Sequence, residues 1–119
     1  TMKKLYDRGV TMQMGAHGNM MGLGAHWEME LFTHGSFSNY DAIEIATING
    51  FKHHGLDHIL GSIEPGKLAD MVIMTKNPLE NIRNSRSIEY VVKNGVIYSG
   101  TDAARVYPDP RPAEKLYFK

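Results

Sequence analysis

Cysteine is absent from the 119 residues. Disulfide cross-links, thiolate ligation of metals and thiol nucleophiles are therefore excluded, and the absence suits either redox compartment. No apolar run approaches the roughly 18 residues of a membrane span. Charge of one sign is missing too: 13 Lys and Arg balance 13 Asp and Glu, which leaves no basic footprint for nucleic acid and no polybasic membrane anchor. The opening TMKKLYDRGV has two lysines but no apolar stretch behind them, so it does not read as a signal peptide. Internal repeats and low-complexity segments are lacking. These absences predict a soluble protein, cytoplasmic or periplasmic, without a nucleic-acid or membrane partner.

What is present suits one domain. A chain of this size buries about two-thirds of its unfolded surface, and 42% of its residues are apolar. Lys3 to Asp7 reads as the last turn of a helix stopped by Gly9. Val10 to Met14 alternates in polarity and reads as a short strand. Gly15, Gly18, Gly22 and Gly24 then crowd a segment that regular structure does not tolerate. Ala25 to Thr33 has helical composition, with Trp27, Leu31 and His34 on one face. A second helix follows, capped by Ser38 or Asn39 with Asp41 in its first turn. Ala42, Ile43 and Ala46 form its buried stripe. The helical pattern continues through INGFKHHGL after a break at Gly50 and stops at Gly55.

From Gly61 the period changes from 3.6 to 2. Ser62-Ile63 reads as a short strand and Pro65-Gly66 as a type II turn. Met71 to Met74 follows as a buried strand, and a helical turn is expected after Pro78. Ile88 to Val92 and Val96 to Tyr98 flank Asn94-Gly95, a strong hairpin signal. The proline-rich stretch after Gly100 predicts an extended arm. Three or four antiparallel strands therefore follow the helices.

The segments GSIEPGKLADMVIMTKNPLENI and IEYVVKNGVIYSG closely resemble the C-terminal end of metal-dependent amidohydrolases, the superfamily of imidazolonepropionase-like and prolidase-like enzymes. Upstream, GAHGNMMGLGAHWEMELF through HHGLD resembles the last barrel strand, its loop and the last helices of one subgroup. The resemblance covers roughly residues 8 to 100. It implies an α/β chain: the last β/α unit of a (β/α)8 barrel over residues 1–58, strands of the small β-sandwich over 59–100, and an extended tail over 101–119. It places Ile63, Val72, Val91 and Ile97 in the sandwich core, each contributing about 1.5–3 kcal/mol by burial. A complete member runs to several hundred residues and needs a His-x-His that this chain lacks. The chain is therefore expected to be a C-terminal fragment, inactive alone, whose partner is the missing N-terminal barrel.

The resemblance also sets the candidate site. His17 stands where the family's eighth-strand aspartate binds metal and accepts a proton from the attacking water. Gly15-Ala16-His17 replaces the usual Gly-Thr-Asp. A neutral imidazole ligates zinc at about 2.0–2.1 Å and serves as a base near pH 7, but brings no negative charge. His17 is thus the expected catalytic and metal residue of a parent enzyme that uses a divalent metal, zinc by expectation. No metal is expected for the isolated chain. His26 and Glu28 are candidates to line the substrate pocket. Their alternative is a packed helix start with a first-turn glutamate favourable to the helix dipole.

His53, His54 and His58 do not read as a ligand cluster, since adjacent helical residues point about 100° apart. Asp70 reads as an acceptor for backbone N–H groups of the Pro65-to-Ala69 loop, and Lys67 as solvated or paired with Glu64. Met20 and Met21 are read mainly as adaptable packing. Gly15-x-x-Gly18 lacks the Gly-Lys-Ser/Thr of a phosphate loop. The expected parent activity is hydrolysis of a C–N bond in a peptide-like, cyclic amide or related small molecule. The rival reading is a non-catalytic association domain whose exposed strand edges make it a homo-oligomer.

Overall fold

The computed structural model describes residues 1–17, 20 and 22–115. Gly18 and Met21 of the glycine-rich loop lie outside the described residues. Four helices lead: α1 (Met2–Tyr6), α2 (Gly24–His34), α3 (Asn39–Ala46) and α4 (Ile48–His53). A 3-10 helix (Ile82–Arg86) falls between strands β1 (Met71–Met74) and β2 (Ile88–Lys93), and β3 (Val96–Ser99) and β4 (Arg105–Tyr107) complete an antiparallel sheet in the order β1-β2-β3-β4.

Local chemistry explains the helix ends. Ser38 begins α3 with a capping box: its hydroxyl accepts from the Asp41 N–H at 3.0 Å, and the Asp41 carboxylate accepts from the Ser38 N–H at 2.9 Å. The break between α3 and α4 falls at Thr47, not at Gly50 as the sequence suggests. The Thr47 hydroxyl donates to the Ile43 carbonyl at 2.7 Å, which competes with the helical ladder, and the backbone there leaves helical geometry (φ −129°, ψ −99°). Gly50 lies inside α4.

The core is helical. Met29 and Phe32 of α2 meet Ala42 and Ile45 of α3, with Phe37 between them and Ile82 entering from the 3-10 helix. Phe37 packs edge-on against Phe32 and Tyr6, with ring centroids 5.2 and 5.3 Å apart. Val10 to Met14 is not a strand. Its alternation persists over Met12 to Met14, where Met12 and Met14 pack on the core while Thr11 and Gln13 are exposed, but Val10, on the same side as the methionines, is exposed. A strand also needs a neighbour to pair with, and the described residues supply none.

The sheet departs most from the sequence reading. Ser62-Ile63 forms no strand, and Ile63 is 81% exposed. Val72 and Val91 are cross-strand partners and therefore share a face. That face is uncovered, leaving them exposed, while Val92 on the opposite face is buried and Ile97 beside it is half-buried. Met71 to Met74 is an edge strand rather than the middle of a sandwich. The fourth strand comes instead from the tail, where Arg105 and Arg111 pair and both guanidiniums bind Asp109.

Two turns are built as read. Gly66 has φ +93°, and the Lys67 N–H closes the turn on the Glu64 carbonyl at 3.2 Å. Asn94 and Gly95 both have positive φ (49° and 79°), as a two-residue hairpin turn requires. Lys67 is largely buried and donates to the Asp57 carbonyl (2.5 Å) and the Ser62 hydroxyl (2.6 Å), with Glu64 at 3.1 Å. Asp70 acts elsewhere than expected. It accepts the Asn94 N–H at 2.7 Å and pairs with Lys93, so it fastens the start of β1 to the hairpin rather than ordering its own loop.

Ile45 is 1% exposed, so Ile45→Ala should cost about 2–5 kcal/mol in denaturant unfolding. Val72→Thr, on the uncovered face, should stay within about 0.5 kcal/mol.

Candidate functional site

His17 ends the segment that runs from α1 over the core, and it is exposed. Two contacts fix the approach to it. Both carboxylate oxygens of Glu28 accept the Gly15 N–H, at 2.9 and 3.1 Å. Ala16 packs against the start of α2, where a Cβ on Gly24 would stand 3.6 Å from the Ala16 Cβ. The glycine at the head of α2 therefore permits the close approach, and Glu28, one turn along, ties the backbone down.

Glu28 is thus engaged two residues before His17. His26 faces another way: its Nδ1 is 2.9 Å from the hydroxyl of Ser85 on the 3-10 helix, and Ser85 is buried. The structure joins Glu28 to the His17 segment and joins His26 to the sheet side of the molecule. Burial holds the His26 pKa below the ordinary 6.5, the Arg86 charge adds to this, and Glu30 opposes it.

Glu30 was not legible as a key residue. Its carboxylate pairs with Arg83 (3.1 Å) and with Arg86, both from the 3-10 helix, and its side chain is 12% exposed. The only available signal was its place on the α2 face next to His26. Glu30 also borders an open groove of about 340 Å³ with Thr33, His34, Asn39, Glu80 and Arg83. That groove includes none of His17, His26 and Glu28.

Among the described residues no group of three or more His, Cys, Asp or Glu side chains stands close enough to hold a metal ion. His53 and His54 stack edge-to-face, centroids 5.3 Å apart, on an exposed helix end. The donors among the described residues therefore do not make a complete metal centre. His17 offers at most one ligand.

Two outcomes follow. Because the folded His26 pKa is depressed, its contribution to stability is present above pH 6.5 and is lost as pH falls through the folded value. Urea midpoints against pH should therefore fall on the acid side in the parent chain, and less steeply in His26→Asn. Glu28→Gln should speed hydrogen exchange at the Gly15 amide while leaving α3 amides unchanged.

Comparison with known proteins places this arrangement. The model of the Amidohydrolase family matches residues 1–98. Guanine deaminase of Escherichia coli (strain K12) is 39% identical over 72 residues, covering 59% of this chain and 16% of its own length. Adenine deaminase of Desulforamulus reducens is 48% identical over 54 residues, covering 45% and 8%. Among solved structures, a Xaa-Pro dipeptidase with methionine bound in the active site superposes with TM-score 0.73 at 31% identity, covering 82% of this chain and 24% of that one. An amidohydrolase from Thermotoga maritima MSB8 gives 0.67 at 30% identity, covering 80% and 24%. The chain spans a quarter or less of each of these proteins.

Proposed function

Because the chain belongs to the amidohydrolase family, we propose that it works as the closing segment of a larger hydrolase of C–N bonds. The observation that carries this reading is an apolar stripe on α2. Leu23, Trp27 and Leu31 recur every four residues and are 41%, 40% and 66% exposed, on the side away from buried Met29 and Phe32. Large apolar groups aligned on one helix face mark a surface made to be covered. The cover in this reading is the rest of the barrel, to which the same chain would supply its last strand segment. The short share of each relative that the chain spans supports it further.

In that setting His17 would be the residue, among those described, that reaches the reaction chamber, at the end of a segment held by Glu28. Its imidazole would serve as a base or as one ligand of a divalent metal, zinc by this reading, whose other donors lie outside these residues. His26, engaged with Ser85, would shape the wall from behind rather than touch substrate. The substrate class is a small amide-like or amidine-like molecule, which embraces both the deaminase and the dipeptidase relatives.

A second reading rests on the sheet. The outer edge of β1 is unpaired among the described residues, and Val72 and Val91 lie exposed beside it. Edge-to-edge association into a homo-oligomer, without catalysis, would use that surface.

The deciding experiment compares the 119-residue chain with the polypeptide that carries the remaining barrel. Ammonia release from purines and hydrolysis of Xaa-Pro dipeptides are followed in both. The isolated chain should be inactive. In the larger enzyme His17→Ala should lower kcat about 10²–10⁴-fold, and His17→Asp should retain part of the activity. Turnover by the isolated chain, or an unaffected His17→Ala enzyme, sinks the catalytic reading. A metal-free, inactive larger protein that sediments as a stable oligomer favours the second.

A further inference from the structure

The sequence holds two Asn-Gly pairs, Asn49-Gly50 and Asn94-Gly95, and the fold treats them oppositely. Asn49 is 5% exposed, inside α4, with Gly50 backed by the Gln13 side chain 3.8 Å from the place of a Cβ. Asn94 and Gly95 are exposed at the tip of the β2–β3 hairpin, both with positive φ. Among the described residues no hydrogen bond holds the Asn94 side-chain amide.

We infer that Asn94 is a site of spontaneous covalent modification, deamidation through a cyclic imide, and that Asn49 is shielded from it. The Gly95 amide nitrogen attacks the Asn94 side-chain carbonyl carbon. A C–N bond forms, the side-chain nitrogen leaves as ammonia, and a five-membered imide results. Water then adds to one of its two carbonyls, giving aspartate or isoaspartate. Water is the sole co-reactant, and no electrons change hands. Glycine at the second position matters because no Cβ obstructs the attacking nitrogen.

The turn carries its own brake. The Gly95 N–H donates to the Ala69 carbonyl at 3.1 Å and the Asn94 N–H to Asp70 at 2.7 Å. Attack waits for that clamp to open. Once the imide is hydrolysed, a new carboxylate stands beside Asp70, where like charges repel. The isoaspartate form also lengthens the backbone of a two-residue turn whose length sets the Lys93–Val96 register. Modification at Asn94 thus loosens the joint between β1 and the hairpin.

The test ages the folded chain in mildly alkaline buffer and maps both Asn-Gly peptides by mass and by isoaspartate content. Asn94 should convert at least several-fold faster than Asn49, and the difference should vanish in denaturant. Asp70→Ala, which removes the carboxylate half of the clamp and leaves the Ala69 carbonyl in place, should speed conversion at Asn94 alone. Equal rates at the two sites in the folded chain, or an unmodified Asn94, overturn the inference. If Asp70→Ala perturbs folding, Gly95→Ala serves instead: it should slow conversion at Asn94 several-fold in denaturant as well, and an unchanged rate there would exclude the imide route.

Discussion

The Glu30 carboxylate, gripped by Arg83 and Arg86 from a single 3-10 turn, is the contact on which the arrangement of the two halves depends. Exposed ion pairs contribute little, but here the acid is mostly buried and receives two guanidiniums, a geometry that favours strong charge-assisted bonds. It acts together with Ile82, which enters the helical core, and with the His26–Ser85 contact one turn away. Polar fastening and apolar insertion occupy the same few residues. The sheet is attached to the helices through this turn, and the linker before β1 has only to span the gap.

The candidate site follows from that attachment. With α2 fixed against the 3-10 helix, its first turns present Gly24 to Ala16 and Glu28 to Gly15. The segment leading to His17 is therefore held by the same helix whose other side locks onto the 3-10 helix. Glu28 and His26, two residues apart, end on different duties because consecutive positions of a helix turn through about 100° each. One braces the His17 backbone, and the other braces the interlayer contact.

Much of this was legible in the residues, and the failures share a cause. The Ser38 cap, the Pro65-Gly66 turn and the Asn94-Gly95 hairpin are encoded within a few positions, and all three stand as read. The burial of Ile63, Val72 and Val91 required a covering layer that no local pattern supplies, and these residues lie exposed. Val10 to Met14 has the alternation of a strand but lacks a pairing partner. The helix break moved from Gly50 to Thr47 because a hydroxyl-to-carbonyl bond outweighed the weaker preference of glycine against helix. Glu30 escaped notice because its partners stand more than fifty residues away. Of the chemistry, the role of His17 rests on the resemblance alone, since the donors that would complete a site around it do not lie near it among the described residues.

Lys67 carries a consequence of its own. Its ammonium has three hydrogens, and three oxygens of the stretch from Asp57 to Glu64 surround it. The stretch between α4 and β1 lacks regular secondary structure, yet it is knotted by its own side chain, while Gly61 sits so close to Ile48 and Phe51 of α4 that a Cβ there would collide with them. A connector of that kind behaves as a prefabricated elbow. Its bend is set from within by Lys67 and its seat on α4 by the missing side chain of Gly61, so shape and placement answer to different residues.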